Sequence, residues 1–160
     1  MSGATTTDLR IHDVPQQTYF HRAWRVTHDT IAEAVAETMV ALLDLTQARK
    51  IAATGNLLLV YRGNANDDDD SFDLWVGLPV LQGTQPAEGF AVTQLPALQC
   101  AASVHVGASR DVGETYGDLI EHIRAAGLEP TSEIREEYLH WEGRHSDRDI
   151  TWVQVGVRSA

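Results

Sequence analysis

Along this chain, segments in which apolar side chains recur at every second position alternate with two segments in which they recur every third or fourth. The first helical-period segment places Ile31, Ala34, Val35, Met39, Leu42, Leu43 and Leu45 on one stripe, with Thr27–Thr30 ahead of it as N-cap candidates. It predicts a helix from Ile31 to about Arg49. The second places Tyr116, Leu119, Ile120 and Ile123 on a stripe and predicts a helix from about Val112 to Ala126, closed by Gly127. The extended segments are Leu9–Arg25, Leu57–Tyr61, Phe72–Val80, Phe90–Val106, Ser132–Gly143 and Ile150–Val157. Two of them are broken by a hydrophobic–proline pair, Val14-Pro15 and Leu95-Pro96, because proline cannot continue a ladder and pushes its predecessor into extended geometry.

These elements occur in the same order twice. Pro15 and Pro96 are 81 residues apart; Tyr61 and Tyr138 are 77 apart, and so are Trp75 and Trp152. The spacing predicts an α+β fold built as a duplicated βαββ unit with pseudo-two-fold symmetry. Repeat 1 runs over about 9–80, a linker over 81–89 and repeat 2 over about 90–158, all within a single domain. Neither unit closes a core alone, so the expected architecture is an antiparallel sheet with both helices on one face.

Alternation then assigns faces. In the last strand of each repeat, Phe72, Leu74, Val76 and Leu78, and Thr151, Val153, Val155 and Val157, should point to the helices. The same reading turns Trp24, Tyr61, Trp75, His105, Tyr138 and Trp152 to the open face, with Glu136 as a central carboxylate. So many aromatics on an uncovered face would form a large apolar patch, and such patches mark binding. Glu137 should point the other way, towards the helix layer or the rim. The alternative for the Glu136 strand is a charged edge strand that deters aggregation.

Charge narrows the partners. The chain has 160 residues, 23 acids and 12 Lys plus Arg, a formal net charge of -11. Such a surface repels phosphate backbones, so direct nucleic-acid binding is not expected, and a cationic small molecule would be attracted. Cys100 is the only cysteine. That excludes an internal disulfide, suits a cytoplasmic location, and in VTQLPALQCAASV reads as a small buried side chain. Met1–Asp8 lacks a basic start and an apolar run, so no signal peptide is expected, and no segment is apolar enough to span a bilayer. Asp67–Asp70 lack the alternating ligands and closing glutamate of a calcium loop, and Arg62–Ser71 reads as a solvated hairpin. His140, His145 and Asp147 have no metal-ligand spacing, and no phosphate-binding glycine loop follows a strand. No metal and no cofactor is expected.

The order of elements, with Leu95-Pro96, His105-Val106-Gly107, Tyr116, Arg135-Glu136-Glu137-Tyr138-Leu139 and Trp152, resembles the GyrI-like small-molecule-binding domain over about Leu9–Arg158. That domain is the effector-binding half of AraC- and MerR-type multidrug regulators. The resemblance implies a ligand cleft between two βαββ halves, with Glu136 meeting cationic or electrophilic ligands. Only eight polar residues precede the first extended segment, leaving no room for a helix-turn-helix, so a stand-alone form is expected. Three functions follow from the resemblance. One is a binder of planar, cationic or electrophilic aromatic compounds. Another is a hydrolase of cyclopropanoid electrophiles acting through Glu136 and Tyr138. The third is an acidic inhibitor of a protein such as DNA gyrase. Oligomeric state, a protein partner and the role of His105 stay open.

Overall fold

The computed structural model describes residues 7–62, 71–143 and 145–160, and the side chains of residues 7–9 and 110 fall outside that description. The expected solvated hairpin at Arg62–Ser71, with its four aspartates, lies almost wholly outside the described residues.

Among the described residues, eight strands and two helices form in the expected order. The strands are β1 (Thr7–Val14), β2 (Gln17–Val26), β3 (Leu58–Arg62), β4 (Phe72–Pro79), β5 (Ala91–Leu95), β6 (Leu98–Val106), β7 (Leu128–His140) and β8 (Ile150–Ser159). The helices are α1 (Ile31–Gln47) and α2 (Val112–Ala125), the second entered through a single 3₁₀ turn at Ser109–Asp111. The strand pairings within each unit described below are antiparallel, which with two helices makes an α+β fold. No described helix is long and apolar enough to cross a membrane.

Contacts divide the chain into two compact units, Gln16–Pro96 and the remainder. In the first, the strand order is β3-β4-β2-β5 and α1 packs on β2 and β4. In the second, the order is β1-β6-β8-β7 and α2 packs on β6, β7 and β8. Each proline break is therefore a change of unit. β1 ends at Val14 and pairs with β6, while β2 pairs with β4 and β5. The outer strand of each unit is thus borrowed across a proline, an exchange that periodicity alone did not show.

Both helices end in the same backbone device, with different residues. At α1 the Lys50 N–H bonds the Leu45 carbonyl and the Arg49 N–H bonds Thr46, with Arg49 at a φ of 58°. At α2 the left-handed position is held by Gly127, φ 78°, as expected. At the start of α1, the Thr30 hydroxyl accepts from the Thr27 N–H, while the Thr30 carbonyl takes the Ala34 N–H. The threonine therefore tightens the approach turn and does not cap the helix.

The core under α2 is Ala101, Leu119, Ile123, Val153, Val155 and Val157, with Tyr116 and Ile134 packed against it. Gly156 is required by a bulge in β7: the pairing shifts between Pro130 and Ile134, and a Cβ on Gly156 would overlap Thr131 Oγ1.

Candidate functional site

Strand pairing fixes which side chains share a face, since residues directly opposite one another point the same way. On β7 and β8, Ile134 faces Val155, Glu136 faces Val153 and Tyr138 faces Thr151. Val153 and Val155 lie under α2, as expected. Glu136 and Tyr138 therefore belong to the helix-facing side, not the open one. The Tyr116 hydroxyl on α2 confirms this directly by donating to Glu136 Oε2 at 2.5 Å. Glu137 pairs with Trp152 and takes the opposite face.

The same correction applies to three other residues. His105 pairs with Thr151, and its Nδ1 lies 2.8 Å from the Thr115 hydroxyl of α2. Its Nε2 is 2.9 Å from the Ala108 carbonyl, so the ring ties the turn before α2 to that helix. At 2% exposure with both nitrogens engaged, His105 is a satisfied structural histidine. Trp24 pairs with Leu74, and its indole N–H donates to Thr38 of α1 at 2.9 Å. Tyr61 also pairs with Leu74 and stacks on Phe72. All three stand on the helix side of their sheets.

Trp75 and Trp152 take the opposite face, as expected. Trp75 is half-buried in a column of rings: Tyr19 stacks on His21 at 4.9 Å and His21 on Trp75 at 4.1 Å. The Arg62 guanidinium lies 4.7 Å from the Trp75 ring centre. Burial first, then Arg62, lowers the His21 pKa to about 4. Trp152 stands perpendicular to His12, with ring centres 5.5 Å apart. The seven expected site residues thus do not share one face, and only Glu136 and Tyr138 are brought side by side with an acid–phenol chemistry.

Sequence reasoning noted Tyr116 in the helix stripe without giving it a role. The signal was present, since a tyrosine on a buried stripe needs a partner for its hydroxyl, and an acid on the facing strand supplies one. Glu136 is 3% exposed and Tyr138 9%. The Tyr138 phenol is pushed well above its usual pKa, by burial first and then by the nearby Glu136 and Asp149 carboxylates. It is consequently a proton donor throughout the physiological range. Cys100 is fully buried, and burial raises its thiol to about 11, so it is the inert small residue expected. Among the described residues, no group of three or more histidines, cysteines and acids could hold a metal ion.

A family model described as the GyrI-like small molecule binding domain matches residues 7–157. No curated protein sequence gives a significant match. Among solved structures, the chain is similar to the C-terminal domain of EcmrR, with a TM-score of 0.79 at 13% identity, covering 99% of this chain and 100% of that one. Against EcmrR in its DNA complex, it covers 96% of its own length but spans only 58% of that chain. It is also similar to SAV2435 bound to tetraphenylphosphonium, TM-score 0.69, 11% identity, covering 95% and 94% of the two chains. A hydrolase from Listeria innocua superposes with a TM-score of 0.62 at 11% identity, covering 98% and 94%. At these identities the structures show a shared fold.

Proposed function

The chain belongs to the GyrI-like small-molecule-binding domain family, and from that premise we propose that it binds small aromatic cations through the carboxylate of Glu136. One observation carries the reading: an acid on β7 only 3% exposed, with one oxygen engaged by the Tyr116 hydroxyl and a buried phenol, Tyr138, beside it. A buried carboxylate must be hydrogen-bonded or paired, and a buried acid beside a phenol in a small-molecule-binding family is a candidate to meet a charged ligand. The neighbour bound to tetraphenylphosphonium supports a lipophilic cation as the ligand class. The net charge of -11 favours such ligands and disfavours direct nucleic-acid binding. A cytoplasmic setting belongs to the same reading, supported by the lone, buried Cys100.

An internal duplication is also part of this reading. Its support is the strand order, since β3-β4-β2-β5 and β7-β8-β6-β1 correspond element by element.

The test is a titration with tetraphenylphosphonium and, as a neutral control, triphenylphosphine oxide. Wild-type protein should bind the cation. Glu136→Gln should weaken it by about 10- to 100-fold, the scale of losing a hydrogen-bonded or paired charge. Glu137→Gln, on the other face, should leave it unchanged. Equal affinity for cation and control, or a loss confined to Glu137→Gln, overturns the assignment.

A second reading rests on Tyr138. A phenol held protonated beside a carboxylate can donate to a departing group while Glu136 activates water, so a hydrolase of strained electrophiles uses the same pair. Turnover of such an electrophile that falls in Glu136→Gln with binding intact would select it.

A further inference from the structure

Beyond Glu136, the same unit buries a second acid. Asp149 immediately precedes β8 and is 0% exposed. Three bonds fix its place. Its N–H reaches the Ser146 carbonyl, its own carbonyl accepts from the Gly107 N–H, and its Oδ1 accepts from the Glu142 N–H at 2.6 Å. The other carboxylate oxygen, Oδ2, is buried without a hydrogen-bond partner. A fully buried carboxylate oxygen normally has a partner, so this one is an acceptor in want of a donor.

Its direction follows from the strands. Tyr138 pairs with Thr151 and Glu136 with Val153, so moving from Glu136 through Tyr138 along the strand pair leads to Asp149. The backbone step from Val153 to Asp149 is roughly 13 Å at about 3.3 Å per residue. The register thus puts the Tyr138 position between the positions of the two acids, and both carboxylates raise the pKa of its phenol. The Tyr138 and Trp141 rings, with centres 6.1 Å apart, add aromatic surface at the Asp149 end. An acid, an aromatic middle and a second acid with a free oxygen describe the complement of an elongated molecule with a positive group at each end.

We propose that Asp149 is the second acidic end of the Glu136 site, which makes the site selective for rigid aromatic dications bearing N–H donors at both ends, the diamidine class. This rests on the proposed function and deepens it. Glu136 meets one amidinium, and Asp149 Oδ2 accepts an N–H from the other. A fully substituted cation such as tetraphenylphosphonium has no N–H to offer and engages Glu136 alone.

Two matched probes test this by isothermal titration: biphenyl-4,4′-dicarboxamidine and biphenyl-4-carboxamidine, which differ by one amidinium. The wild-type protein should prefer the double-ended probe by about tenfold or more. Asp149→Asn keeps an oxygen for the Glu142 N–H, so the fold should survive. It should bring the double-ended probe down to the affinity of the single-ended one and leave the latter unchanged. Glu136→Gln should weaken both probes. Equal wild-type affinities overturn the proposal without any variant. So does an Asp149→Asn protein that keeps the preference or loses both probes equally, which would make Asp149 a loop anchor only. Should the wild-type protein bind neither these probes nor tetraphenylphosphonium, the underlying cation-binding function fails as well. A single-ended probe that still depends on Glu136 while the preference is absent sinks only the Asp149 step.

Discussion

The Tyr116 hydroxyl on α2 lies 2.5 Å from Glu136 Oε2 on β7 and joins the helix layer to the buried acid. Its existence turns the acid towards the helix, and its loss should be read in stability as well as in binding. Tyr116→Phe removes the donor and keeps the ring that packs on the Ile134 side of the core. The expected cost is about 1–3 kcal/mol, the range for withdrawing a partner from a buried polar group. Urea denaturation of both proteins measures it. A cost near zero would mean that the hydroxyl contributes nothing to holding the carboxylate.

A second expectation concerns helix termination. Arg49 closes α1 in the left-handed region at a φ of 58°, where Gly127 serves the same purpose after α2 at 78°. A side chain with a Cβ is strained in that conformation and glycine is not. Arg49→Gly should therefore stabilise the protein by about 0.5–1 kcal/mol, after allowing for the greater freedom glycine gains when unfolded. The midpoint of thermal unfolding should rise. A fall would show that the Arg49 side chain makes a contribution larger than its backbone strain.

Element order and type were legible because the two helical stripes and the two proline breaks are strong local signals. Face assignment was legible only where a strand has a polar and an apolar side. On β8, Val153, Val155 and Val157 all lie in the core under α2, and alternation placed them correctly. On β7 the two phases read Ile134-Glu136-Tyr138 and Arg135-Glu137-Leu139, each a mixture, so periodicity could not choose. The pairing chose, with Ile134 opposite Val155. In β3, Leu58, Leu59 and Val60 are all buried, which leaves Tyr61 without a phase. For β6, CAASVHV gives small residues on both sides, and His105 was settled by Thr115, ten residues away in another element. The exchange of β1 and β5 was illegible for another reason: it depends on long-range pairing that a local pattern does not encode.

Close approach of strands supplies a third test. A Cβ on Gly77 of β4 would stand in steric overlap with the Phe20 carbonyl oxygen of β2, and within 2.7 Å of the His21 Cα. Both are backbone atoms, so no side chain can swing away. Gly77→Ala should cost more than about 3 kcal/mol and leave little folded protein, in line with overpacked sites where the main chain must move. Gly113→Ala, at a helix position where a Cβ meets nothing within 4 Å, is the control and should be neutral or mildly stabilising. Circular dichroism of the two purified proteins separates the outcomes. A well-folded Gly77→Ala protein would mean that β2 and β4 sit farther apart than described.

The column of Tyr19, His21 and Trp75 predicts how stability responds to acid. His21 is 3% exposed, with Nε2 beside the Thr93 hydroxyl and Nδ1 buried without a partner. Burial, then the positive charge of Arg62, lowers its pKa from the usual 6.5 to about 4. The folded protein therefore keeps His21 neutral where the unfolded chain would already be protonated. Between pH 6.5 and about 4 the unfolded state binds the extra proton, so stability rises with pH across that window. The contribution is complete above pH 6.5 and is lost progressively as the pH falls towards 4. Its size is about 1–3 kcal/mol, because each tenfold loss of proton affinity on folding is worth about 1.4 kcal/mol and solvent at the half-buried Trp75 rim screens part of it. His21→Phe keeps a ring between Tyr19 and Trp75 and removes the titrating group. Its unfolding free energy, followed in urea at half-unit steps from about pH 7.5 to about pH 4, should fall less steeply than that of the wild-type protein. The carboxylates common to both proteins cancel in the difference between the two curves. Parallel curves would show that His21 accepts its proton within the fold, and the buried column would then have to open to admit it.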